Sequence, residues 1–169
     1  MVTQGSRFRA APGLEATMMT PRALQDYLHD HIPLSKAMAV GVRAASPEGV
    51  CLAAPLAPNI NHRETVFGGS ASAVAILSAW ALLHVSLLAE GIQARLVIQR
   101  NDMSYDLPIP GEFSAEAEAP SPEKWQRFLA TLSRYRRARI NVRASLSCEG
   151  RTVGQFEGDF VALVLGQAS

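Results

Sequence analysis

The stretch GGSASAVAILSAWALLHVSLLA, residues 68–89, decides the fold. Its 22 residues carry no charge, and nothing in them breaks a helix after the opening glycines. The spacing predicts one long helix that is apolar nearly all round. A helix of that kind either crosses a membrane or is enclosed by the rest of a soluble domain. Six alanines at 71, 73, 75, 79, 81 and 89, serines at 72, 78 and 86, and His84 within the run favour enclosure, and so do flanking segments that alternate like a soluble sheet. No membrane partner is expected.

Working outward, residues 1–19 show no period and contain Gly5, Pro12 and Gly13, which reads as a flexible arm before a single domain over 20–169. Thr20-Pro21 is an N-cap with proline at the first helical position, followed by Leu24, Tyr27, Leu28 and Ile32 at helical spacing, and Pro33 is expected to end that helix. Ala39–Ala45 and Val50–Ala54 read as a hairpin about Ser46-Pro47-Glu48-Gly49.

Beyond the long helix, Gly91 is a stop, and Arg95–Asp106 reads as a strand running into the turn Leu107-Pro108-Ile109-Pro110-Gly111. Phe113, Ala115 and Ala117 alternate with polar residues. Ser121-Pro122-Glu123 opens a second helix to about Arg134, apolar at Trp125, Phe128, Leu129 and Leu132. Ile140, Val142, Ala144, Leu146 and Cys148 then share one face of a strand that turns at Glu149-Gly150 and returns as Val153–Leu165. The pattern is helix, two strands, long apolar helix, then about four antiparallel strands.

Composition narrows the function. The 169 residues are 48% hydrophobic and 18% charged, which suits one core-bearing domain. Sixteen Lys and Arg against fifteen Asp and Glu argue against a nucleic-acid binder. Two cysteines make no disulfide framework and no signal peptide opens the chain, so a cytoplasmic location is expected. Dinucleotide, P-loop, C-x-x-C and H-E-x-x-H motifs are missing. His29 and His31 fall on different faces of their helix, so no metal site is expected. Cys148 reads as a buried inert thiol, with a catalytic cysteine a distant second, and His84 reads as a core histidine bonded to a backbone carbonyl.

Chemistry concentrates in PLAPNINHRETVFGGS, residues 55–70. A polar loop leads into Gly68-Gly69-Ser70 at the head of the long helix. Helix-start amides are unpaired and sit at the positive end of the dipole, which suits an oxyanion. Asn59 and Asn61 add neutral donors upstream. On these residues alone, tight packing of the helix start with asparagine caps explains the pattern equally well.

Asn61 six residues before Phe67-Gly68-Gly69, at the head of a central helix followed by antiparallel strands, resembles the hotdog-fold acyl-thioester enzymes. More narrowly, PLAPNINH…TVFGGS with Trp80, Tyr105, Pro108 and Gly111-Glu112 is similar to the thioesterase domain family typified by the C-terminus of the bacterial YiiD protein, over residues 20–165. The resemblance implies an α+β hotdog fold, an antiparallel β-sheet wrapped around a long central helix, pairing edge to edge as a homodimer or dimer of dimers. It also implies acyl carrier protein or CoA thioesters as partners. Some members are assigned as malonyl-carrier-protein decarboxylases. No cofactor is implied beyond the phosphopantetheine that the substrate carries.

Carried over, the hotdog asparagine falls on Asn61 and the oxyanion amide on Gly68 or Gly69. The wider thioesterase pattern has a histidine before the glycines, where this chain has Phe67, and an acid eight residues after the first glycine, where it has Ile76. Hydrolysis needs a positioned base or nucleophile; decarboxylation does not. Loss of CO2 from a malonyl thioester leaves an enolate that an oxyanion site stabilises, and apolar walls favour the departure of a carboxylate as neutral CO2.

Phe67, Ile76 and Trp80 are candidate walls, with Ser72 on the same helix face. His62, Thr65 and Ser70 are candidate polar contacts, although Thr65 and Ser70 serve equally as caps. Glu64 either replaces the missing base or is a solvated loop residue paired with Arg63, and the second is favoured. Tyr105 either reaches the pocket from its strand or packs in the core, and the core is favoured. Arg134, Arg136, Arg137, Arg139 and Arg143 read first as a solvated face, second as a docking surface for an acidic carrier protein or CoA phosphates, and third, against the near-neutral total charge, as a single-stranded nucleic-acid contact.

The expected function is an acyl-thioester enzyme, with decarboxylation ahead of hydrolysis. A binding module that holds an acyl thioester without reacting is the further alternative.

Overall fold

The computed structural model describes residues 19–164. The arm expected over residues 1–19 therefore lies outside the described residues except for Met19, and so does Leu165 at the end of the last strand.

Helix α1 spans Pro21–His31, with Thr20 Oγ1 accepting from Ala23 N at 3.1 Å and with Leu24 and Leu28 fully buried. Pro33 does end it, but also starts something the sequence reading lacked, a short helix α2, Pro33–Ala37. The physics is the same in both roles: proline has no N–H to continue a helix, while its fixed φ suits the first position of the next.

Strands β1, Gly41–Ser46, and β2, Gly49–Ala54, form the expected hairpin. A single 3-10 turn at Ala57–Asn59 then leads toward α3, Gly68–Ala89. After it come β3, Ala94–Tyr105; β4, Phe113–Glu118; helix α4, Pro122–Tyr135; β5, Arg137–Cys148; and β6, Arg151–Val164.

The six strands make one antiparallel sheet in the order β1-β2-β4-β5-β6-β3, and it wraps α3, which packs against every strand. More than half of α3 is buried, including Val74, Leu82 and Leu83. Each such aliphatic side chain contributes roughly 1.5–3 kcal/mol by leaving water. The apolar run is long enough to cross a membrane, yet here the sheet takes the place of lipid. Ser78, buried in the run, donates to Ala75 O at 2.8 Å and so leaves no unpaired hydroxyl.

On β5 the inward face is Ile140, Val142, Ala144, Leu146 and Cys148, all buried, as the alternation predicts. One line of α3 is only half-covered: Ser72, Ala73, Ile76, Trp80, His84 and Leu88, about one residue per turn. It runs from the opening glycines to the far end of the helix.

Candidate active site at the start of the central helix

Three backbone pairings fix the approach to α3. Ile60 and Val66 form an isolated antiparallel bridge, Val66 N donates to Ile109 O at 2.9 Å, and Phe67 N donates to Asn59 O at 2.7 Å. The loop between is a tight turn built on Asn61. Its Oδ1 accepts from Arg63 N at 2.7 Å and Thr65 N at 3.3 Å, while Nδ2 donates to Thr65 Oγ1 at 3.1 Å and Val66 O at 3.4 Å. Asn61 thus organises the turn from within, and its contact to Val66 O is long enough for another acceptor to compete.

Phe67 is the residue before the helix, and no side chain caps it. The amides of the first turn, at Gly68, Gly69 and Ser70, therefore keep the unpaired character of a helix start. The Phe67 ring lies across Gly69 and is exposed. Tyr105, expected in the core, is instead 57% exposed; it lies against Gly68 and donates its O–H to Gly68 O at 3.3 Å. The Pro-rich turn after β3 explains this, because Ile109 pairs with Val66 and draws the end of β3 to the helix start.

Asn61, Thr65, Phe67, Gly68, Gly69 and Ser70 are thus brought together. Ser70 and Ser72 hydroxyls make no hydrogen bond among the described residues, and both are half-exposed. Ile76 is half-buried about 10 Å up the helix from Gly69. Trp80 lies about 17 Å from Gly69 along α3 and is held elsewhere, donating to Leu96 O at 3.3 Å and stacking on His84.

His62 is exposed and takes a 3.4 Å contact from Arg63 Nε. Glu64 is exposed, at φ +60°, where the turn requires a left-handed residue, and makes no ion pair with Arg63.

Asn59, read as a donor for the site, is buried, and its Nδ2 donates to Met38 O at 3.0 Å and Pro55 O at 2.8 Å. It fastens the approach loop to the α2–β1 junction. His29 bonds Val40 O at 2.8 Å and His31 bonds Tyr27 O at 2.9 Å, so each is engaged locally. Burial pushes the Cys51 thiol up, with the Glu116 charge adding to it, which disfavours a reactive thiolate. His84 departs from expectation: its Nε2 is buried with no hydrogen-bond partner among the described residues.

The arginine run starts at the other end of the sheet and reaches back to Arg143, whose row ends at Asp102, three residues from Tyr105. Arg137 pairs with Leu163, which pairs with Arg95, and this row is about 33 Å along β3 from Tyr105. Arg143 pairs with Glu157 at 3.3 Å, Arg139 bonds Gln99 at 2.8 Å, and Arg134 covers the Tyr135 ring at 5.0 Å.

Known proteins share this architecture. A protein of unknown function from Chlorobaculum tepidum TLS matches at 27% identity with TM-score 0.81, covering 88% of this chain and 99% of that one. A thioesterase from Haemophilus influenzae matches at 11% identity with TM-score 0.69, over 89% and 95% of the two chains. A Shewanella oneidensis structure, described as a putative thioesterase, matches at 24% identity with TM-score 0.76, over 85% and 96%. These likenesses fix the fold. The family described as "Putative thioesterase (yiiD_Cterm)" matches residues 21–164. The chain therefore belongs to the YiiD C-terminal putative thioesterase family, and its fold is the hotdog.

Proposed function

We propose that this family member decarboxylates a malonyl-type thioester carried on acyl carrier protein or CoA. The observation that supports this reading is a helix start free of any capping side chain on a helix that bears no carboxylate. Amides at Gly69 and Ser70 suit a developing oxyanion, and a donor of that kind typically contributes about 10²–10³ in rate. No group on α3 is placed to activate water, since Ile76 stands where the wider pattern has an acid.

In the proposed reaction the bond between the α-carbon and the carboxylate carbon breaks and CO2 leaves. The electron pair moves into an enolate whose oxygen rests on the helix amides, and a proton from water then adds at the α-carbon to give the acetyl thioester. Phe67 and Ile76 form apolar walls that disfavour the charged carboxylate relative to neutral CO2. Asn61 positions the loop and can turn one Nδ2 hydrogen toward the thioester.

Hydrolysis is the second reading, favoured by the family description and by Glu64, the carboxylate nearest the glycines in sequence. For assembly, β3 is a twelve-residue edge with one side unpaired, which supports edge-to-edge pairing of two copies. Two-fold pairing of identical edges is antiparallel and would bring the Arg95–Arg137 row of one copy toward the glycine end of the other, where carrier or CoA phosphates would lie.

The test is intact-mass analysis of malonyl-carrier protein with and without enzyme. Loss of CO2 with the thioester retained is the expected result. Release of free carrier would establish hydrolysis instead, and no change with any acyl chain would leave the binding module.

A further inference from the structure

Tyr105 ends β3, and its backbone is fixed on both sides. It pairs with Gly154 of β6, and the next two amides, Asp106 N and Leu107 N, both donate to Val153 O, at 2.9 and 3.1 Å. Four residues on, Ile109 O receives Val66 N at 2.9 Å from the approach to α3. The side chain of Tyr105 therefore reaches the helix start from a rigid frame. A β-carbon at position 68 would meet its Cε1 at 3.4 Å, so the ring rests on Gly68 itself.

The bond that its O–H donates to Gly68 O has a chemical consequence. Gly68 O and Gly69 N belong to one planar peptide group and turn together. Whatever holds that carbonyl also aims the N–H that an oxyanion would use. This peptide has glycine on both sides, the residue that resists backbone rotation least, and no side chain caps the helix start. Within a helix the carbonyl's own partner is the amide four residues on. At a glycine-opened end that bond frays, and Tyr105 supplies a second.

The contact is also sensitive to charge. Hydrogen bonds in a chain polarise one another, so negative charge arriving at the Gly69 N–H pushes electron density onto Gly68 O and strengthens the Tyr105 bond. At 3.3 Å that bond is long for an O–H donor, with about half an ångström left to close. A bond that tightens as the enolate forms stabilises the transition state more than the ground state.

We infer that Tyr105 is a positioning residue of the site, its hydroxyl holding the Gly68–Gly69 peptide so that the Gly69 N–H meets the enolate oxygen. The inference rests on the oxyanion reading of the helix start given under the proposed function. Phe67 does not take this part, because its ring covers the other glycine and carries no donor, and the Asn61 side chain bonds within its own turn.

Tyr105→Phe keeps the ring, with its ring current, and deletes the O–H alone. In the malonyl-carrier assay its kcat is expected to fall about three- to tenfold with KM held within about twofold, the signature of one hydrogen bond strengthened in the transition state. In NMR spectra of the free chain the Gly69 and Ser70 amide signals are expected to move while those of β4 stay in place. Tyr105→Met, which covers Gly68 without a donor, is expected to give the same loss in kcat and serves should the first variant not fold. With an active wild type, unmoved Gly69 and Ser70 signals, an unchanged kcat, or a loss confined to KM overturns the inference and leaves the oxyanion reading standing. A wild-type chain inactive on every thioester overturns that reading and this inference with it.

Discussion

Phe67 and Gly69 are in direct steric relation: the ring lies over the glycine, and a β-carbon at position 69 would come within 2.9 Å of Phe67 Cζ. The Phe67 ring is exposed, so it and not the backbone gives way when position 69 grows.

Gly69→Ala is therefore expected to fold normally. Alanine is better than glycine inside a helix by up to about 1 kcal/mol, which offsets the displaced ring. Turnover is expected to fall about tenfold or more, because the ring swings into the space a substrate needs beside the amides. Thermal melting and the carrier-mass assay read the two effects separately; full activity would place the oxyanion elsewhere.

Asn61→Ala removes the acceptor for the Arg63 and Thr65 amides, a loss of roughly 1 kcal/mol for each bond. It is expected to abolish turnover while the domain stays folded. Asn61→Asp keeps the acceptor and loses the donors, so it is expected to recover the melting temperature without recovering turnover. Recovery of both would make Asn61 a loop-building residue alone, and unchanged activity in Asn61→Ala would remove its assignment.

Glu64→Gln is expected to leave decarboxylation within about twofold, whereas a collapse in rate would make Glu64 the base and return hydrolysis to the front. Glu64→Gly relieves a non-glycine residue at φ +60°, worth roughly 1 kcal/mol less glycine's own entropy cost. Its melting temperature is expected to hold or rise.

Burial holds His84 below its ordinary value, with the nearby His31 charge acting in the same direction. A group whose folded value is depressed binds protons more readily unfolded, so its contribution to stability is full above the unfolded value, about 6.5, and declines as pH falls below it. Resistance to urea is expected to fall from pH 7 to pH 5, and to fall less in His84→Phe over that window. Parallel curves for the two proteins would assign the decline to other groups.

Much of the architecture was legible because it is written in local periods. The uncharged run at 68–89 and the strict alternation from Ile140 to Cys148 each admit one packing, and the sheet satisfies both at once. The site was legible at Gly68–Gly69 and its loop, where the cues are contiguous. Tyr105 was not, since its exposure follows from a backbone pairing between Val66 and Ile109 that no short window contains. Trp80 was misleading in a related way. It shares a helix face with Ile76, as its spacing requires, but Leu96 and His84 hold its ring midway along the helix, away from the glycines. The short helix after Pro33 was hidden because five residues carry too little periodicity to register.

Asn59 ties two nearby points of its own loop to one 21 residues upstream: its side chain holds Met38 O and Pro55 O, and its backbone carbonyl receives Phe67 N. The amides that open α3 are thereby moored to the junction of α2 and β1. Local opening at Met38 would release one of the two grips of that side chain, so amide hydrogen exchange at Phe67 should rise and fall with exchange at Val40 as one cooperative unit. The rigidity of the helix start is in this sense inherited from the first quarter of the chain.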